Sequence, residues 1–129
     1  RRASAHTPAQ TDPTRAMLRV LGVDPGTYRM GVGVVASDGA EIRLVFSGVL
    51  TPKRRDPIAD RLHHLFSHLS QLIDEWHPSE VAIEQPFVAR NVRAAMAIGH
   101  AQAVAMLVAA RNAPHAGMAK GAATAGATH

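Results

Sequence analysis

The sequence predicts an α/β domain built on a mixed sheet, an antiparallel three-strand meander plus one parallel strand, flanked by helices. Three observations carry that reading. Apolar runs at about 18–24, 30–37 and 41–50 are joined by the short turns Asp24-Pro25-Gly26-Thr27 and Ser37-Asp38-Gly39, which suits successive hairpins. A long amphipathic stretch follows, too regular at helical spacing to be loop. A fourth apolar run at 80–85 comes after it, so the helix acts as a crossover and returns the chain parallel to the first and third strands.

The first strand ends on a carboxylate. Val20, Gly22 and Asp24 share one face under the two-residue strand period, and Asp24 sits at the strand's C-terminal end beside a Pro-Gly turn that leaves room for a ligand. Asp-Pro-Gly also suits an aspartate that merely stabilises the turn, and the segment alone leaves both roles open. The fourth strand, Val81-Ala82-Ile83-Glu84-Gln85-Pro86-Phe87, delivers Glu84 in the same way, just before a proline. If it lies beside the first strand, Asp24 and Glu84 end about one strand spacing, ~4.8 Å, apart. Carboxylates that close can share a divalent cation.

In the long helix Ile58, Leu62, Leu65, Phe66, Leu69, Leu72, Ile73 and Trp76 form one apolar stripe about twenty residues long. Asp56 is expected to cap its start with Pro57 in the first turn, and Pro78 to end it. His64 and His68, four apart, could ligate one metal, but with Arg61, Gln71 and Glu75 they read as a solvated polar face. A second helix is expected over 91–110, with Val92, Met96, Gly99, Ala103, Met106 and Leu107 on one face. That face is expected to pack on the sheet, with a subunit interface as the second reading.

Residues 1–16 lack hydrophobic periodicity and read as a disordered or non-native extension, with Met17 as a start. Residues 17–110 form the domain. Residues 111–129, with seven alanines and three glycines, read as a low-complexity tail. The absence of cysteine excludes a disulfide framework and thiolate metal sites and fits a reducing cytoplasm. No apolar run of ~18 residues goes uninterrupted, so no membrane span is expected. The net charge of +4 is uneven: residues 17–84 carry seven Lys/Arg against nine acids, residues 85–129 four against none. Basic character in the domain is local, at Lys53, Arg54 and Arg55 before the long helix and at Arg90 and Arg93 after Glu84. Cations grouped around a carboxylate pair suit a phosphodiester whose backbone is gripped, although a lone Lys-Arg-Arg is also compatible with a solvated loop.

The run LGVDPGT, the glycine-rich second strand and above all AIEQPFVARNVRAAMAIGHAQAVAMLVAA resemble the RuvC family of Holliday-junction resolvases over about residues 17–110. The resemblance implies a ribonuclease H-like fold and a homodimer that binds four-way junction DNA and makes paired, symmetric, magnesium-dependent cuts. It implies two magnesium ions per subunit, Asp24 and Glu84 as catalytic metal ligands, and Phe87 as an aromatic contact to bases at the junction centre. Arg90, Arg93, Lys53, Arg54 and Arg55 become DNA contacts. A branch-migration helicase complex is an implied partner. The chain departs from the family in one respect: relatives supply two further ligands from a C-terminal helix, and no Asp or Glu follows Glu84 here. Half of the metal site is therefore expected to be missing, as in a truncated or frameshifted relative. A non-catalytic junction-binding or dimerisation module needs only the surfaces that remain. Another resolvase-like nuclease, or an actin-like ATPase, shares only the D-x-G-T strand-turn.

Overall fold

The computed structural model describes residues 17–85 and 91–112. It contains β1 (Leu18–Asp24), β2 (Met30–Ser37), β3 (Ile42–Leu50), helix α1 (Ile58–Trp76), β4 (Glu80–Ile83) and helix α2 (Val92–Asn112). The strands form one sheet in the order β3-β2-β1-β4. β1–β2 and β2–β3 are antiparallel and β1–β4 is parallel, the expected meander plus crossover strand. The β2–β3 register slips between Val34 and Val35, a bulge that lets nine residues of β3 follow eight of β2.

One face of the sheet is buried. Leu21, Val23, Met30, Val32, Val34, Val81 and Ile83 form a continuous apolar layer, and the register aligns them: Leu21 lies between Val34 and Val81, Val23 between Val32 and Ile83. Leu65, Leu69, Leu72 and Ile73 of α1 and Ala101, Val104, Ala105, Val108 and Ala109 of α2 complete this core. The other face carries Val20, Gly22, Asp24, Gly31, Gly33, Val35 and Ala82, none of them buried. Asp24 belongs to this open face.

The helices differ from expectation in two ways. Asp56 does not cap α1: Pro57 holds the N-cap position with no side-chain cap, and the Pro57 carbonyl accepts from the N–H groups of Asp60 and Arg61. The helix ends on His77 in the left-handed conformation, φ 49°, donating its N–H to Ile73 O, with Pro78 after it. In α2 the buried stripe is the alanine-rich one, whereas Val92 is 75%, Met96 58%, Met106 45% and Leu107 62% exposed. The physical reason is close approach: α2 packs against α1 and, less extensively, β4, and small side chains let the backbones come together. By length and composition alone α2 is also apolar enough to cross a membrane, although Arg93, His100, Gln102 and Arg111 interrupt it. Its alanine and valine stripe is nonetheless part of the core. Asn91 Oδ1 accepts from the N–H of Ala94 at 2.8 Å, capping the first turn of α2.

Candidate metal and nucleic-acid site

The carboxylate pair forms at the C-terminal ends of β1 and β4. The last residue pair between these strands is Val23 with Ile83, and the next step of the ladder is present as well, because Glu84 N–H donates to Val23 O at 2.9 Å. Asp24 and Glu84 are thus neighbours in register on adjacent parallel strands, and both are exposed. Gln102 on α2 donates from Nε2 to Glu84 O at 3.3 Å, which ties the end of β4 to the helix behind it. Across the sheet Asp24 pairs with Gly31. A Cβ at Gly31 would stand 3.5 Å from Asp24 Cβ and 3.9 Å from Oδ2, so the glycine keeps the floor beside the carboxylate open. At Gly26 an added Cβ would collide with the Arg29 carbonyl, and the turn after Asp24 therefore requires glycine.

This donor set suits a hard divalent cation: exposed, oxygen-only and paired on rigid strand ends. Among the described residues no third Asp, Glu, His or Cys joins to make a group of three. The residues present fit two ligands of a magnesium site.

The basic loop leaves the sheet from the same end. Val49 pairs with Gly31, which pairs with Asp24, and the chain runs from Leu50 into residues 51–57, where Lys53, Arg54 and Arg55 are all exposed. Arg93 is exposed in the first turn of α2. Phe87 and Arg90 lie outside the described residues. Tyr28, which the sequence did not single out, and Arg61 stand among these groups. Arg61, expected on the solvated polar face of α1, is only 9% exposed. It donates from Nε to Asp56 O at 3.1 Å and from Nη1 to Thr27 O at 3.2 Å, and its guanidinium lies over the Tyr28 ring, 4.2 Å from the centroid. Arg54 lies over the same ring at 4.5 Å. The signal for Arg61 was its spacing: it stands three residues after Ile58 and four before Leu65, on the apolar stripe itself.

His64 and His68 are half-buried and stacked, ring centroids 4.0 Å apart, with His68 Nδ1–H donating to His64 O at 2.8 Å. Burial, then the neighbouring His68, pushes the His64 imidazole below its ordinary value, while Asp56 pulls it up. No acid joins the pair into a group of three metal-ligating side chains among the described residues.

The family model for the crossover junction endodeoxyribonuclease RuvC matches residues 20–123. The RuvC of Maricaulis maris is 44% identical over 94 residues, covering 73% of this chain and 57% of its own length. That of Halorhodospira halophila is 46% identical over 90 residues, covering 70% and 53%. Among solved structures, Thermus thermophilus RuvC in complex with Holliday junction substrate superposes with a TM-score of 0.69 at 28% identity, covering 74% of this chain and 58% of that one. The chain spans a little over half the length of the relatives it matches, and the part it spans is a ribonuclease H-like sheet with its carboxylate-bearing strand ends. On these grounds the chain belongs to the RuvC family of crossover junction endodeoxyribonucleases.

Proposed function

We propose that this chain supplies the junction-binding surface and the first half of the metal site of a Holliday-junction resolvase acting in the cytoplasm in homologous recombination and DNA repair. The observation that carries the reading is the placement of Asp24 and Glu84 side by side at the ends of adjacent parallel strands, in a chain whose relatives are named as crossover junction endodeoxyribonucleases. Asp24 and Glu84 would hold magnesium, two ions per subunit in the complete site. When bound, such a pair activates water and stabilises the leaving oxygen of a phosphodiester. The chain's own groups do the rest. Lys53, Arg54, Arg55, Arg90 and Arg93 grip backbone phosphates beside the carboxylates, and Phe87 stacks on unpaired bases at the junction centre.

The exposed apolar face of α2, Val92, Met96, Met106 and Leu107, is the proposed homodimer surface, with Gly99 contributing open space in which nothing lies within 4 Å of an added Cβ. A dimer brings two carboxylate sites to one junction, as paired incision requires. A branch-migration helicase complex would be the functional partner. The competing reading is a junction-binding or dimerisation module without catalysis. The separating experiment measures binding of a four-way junction against linear duplex of the same arms, and nicking of the junction with magnesium. Preference for the junction supports the family function. Equal affinity for both DNAs rejects it.

A further inference from the structure

We propose that Arg54 is a DNA-phosphate contact pre-set by Tyr28, with Arg61 as the buried anchor of the unit. This deepens the function proposed above and rests on it for the identity of the polymer. Tyr28 is the only tyrosine in the chain, stands four residues after Asp24 and is 44% exposed. Its ring has two guanidinium groups over it, Arg61 at 4.2 Å and Arg54 at 4.5 Å from the centroid. The two arginines differ in kind. Arg61 is buried and spends donors on the carbonyls of Thr27 and Asp56, so it bolts the turn after Asp24 to the loop that carries Arg54. Arg54 is exposed, and neither arginine has a carboxylate within ion-pair distance among the described residues.

Two cations gathered on one ring repel each other, and a carboxylate is the usual way to relieve that. None stands there among the described residues, which leaves the position for an external anion. An arginine laid flat on an aromatic face keeps its N–H edge free and loses less side-chain entropy when it grips a phosphate. The unit sits at the sheet end that holds Asp24, so the anion it fits is a backbone phosphate of the strand passing the carboxylates. In this arrangement Arg54 touches DNA, and Tyr28 is a positioning residue that acts through it.

The test uses the whole chain and two readouts. Arginine Nε–H signals are followed by NMR during titration with dimethyl phosphate and with linear duplex DNA, and affinity for a four-way junction and for linear duplex is measured across a salt series. Arg54→Ala is expected to lower the salt slope by about one. Tyr28→Ala should weaken binding about two- to fivefold, the value of an exposed cation–π contact, and have no effect once Arg54 is already alanine. Tyr28→Phe keeps the ring and should bind as wild type, which a merely structural loss at this turn would not distinguish from Tyr28→Ala. Arg43→Ala, at the β3 edge, removes the same charge elsewhere and sets the baseline. If Arg54→Ala changes the slope no more than Arg43→Ala, or if Tyr28→Ala and Arg54→Ala add independently, the inference is overturned even where junction preference stands. If the Arg54 signal moves with phosphate and duplex but the junction is not preferred over duplex, the inference stands and the resolvase reading falls. Absence of binding to either DNA with no Arg54 shift overturns both.

Discussion

Backbone ladders position Asp24 and Glu84 at the ends of β1 and β4, so replacing either carboxylate is expected to alter charge more than the sheet. Asp24→Asn and Glu84→Gln are each expected to keep or slightly raise the melting temperature without metal, because a repelling charge is removed from the pair. Each should also abolish most of the stabilisation that magnesium gives by binding the native state. Melts with and without magnesium check this, and a large loss in the metal-free melt would make the acids structural. His64 gives a second expectation at this scale. Its native titration lies below the unfolded 6.5 because burial and His68 disfavour the charged form. Between the lower native value and 6.5 the unfolded state binds more protons, so stability rises with pH across that window, and the full penalty is present below it. The melting temperature should fall on acidification through 6.5, and His64→Gln should flatten the fall. An imidazole NMR titration at or above 6.5 would contradict it. The two acids were legible in the sequence because each closes an apolar strand shortly before a proline. Arg61 was not, because its charge argued for solvent while its spacing placed it on the buried stripe, and only the carbonyls of Thr27 and Asp56 show how that burial is satisfied.

The two helices show where pattern reading succeeds and where it stops. α1 has one large apolar stripe against a polar remainder, so its spacing alone selects the buried side, and Leu65 and Leu69 are nearly inaccessible. Leu69→Ala should cost about 2–5 kcal/mol, as cavity-forming substitutions in cores do, read by denaturant unfolding. In α2 both sides are apolar, and the larger residues drew the assignment. The structure buries the smaller ones, Ala101, Ala105 and Ala109, because packing against α1 rewards close backbones over bulk. Which apolar side of such a helix faces inward depends on the neighbour, and a single sequence does not carry that information. The exposed side then needs its own explanation. Leu107→Glu should leave the melting temperature of the domain nearly unchanged while shifting the molecular mass from dimer toward monomer in light scattering. Loss of folding on this substitution would place Leu107 in the core, and an unchanged mass would remove α2 from the interface.

At the scale of the whole chain, charge and chemistry separate binding from cleavage. The acids of residues 17–84 outnumber the cations there, yet five of the seven cations, Arg29, Lys53, Arg54, Arg55 and Arg61, lie toward the sheet end that holds Asp24 and Glu84 while Arg19 and Arg43 lie at the other, and every charged side chain after Glu84 is basic. Phosphate contacts supply a large, salt-sensitive share of DNA affinity and tolerate imprecise placement. In-line displacement does not: an error of ~1 Å in the reacting groups costs on the order of a hundredfold in rate. In the proposed site two carboxylates on neighbouring strand ends supply one side of a cation position, and no third metal-ligating side chain joins them among the described residues. The chain is therefore expected to bind four-way junctions in low salt, to lose that binding steeply as salt rises, and to nick them poorly or not at all with magnesium. Asp24→Asn should leave binding intact or slightly improved, since it removes a negative charge facing the phosphates. Robust paired incision by this chain, abolished by Asp24→Asn, would show that further ligands complete the proposed site, whereas binding without incision, unaffected by Asp24→Asn, is the expected outcome.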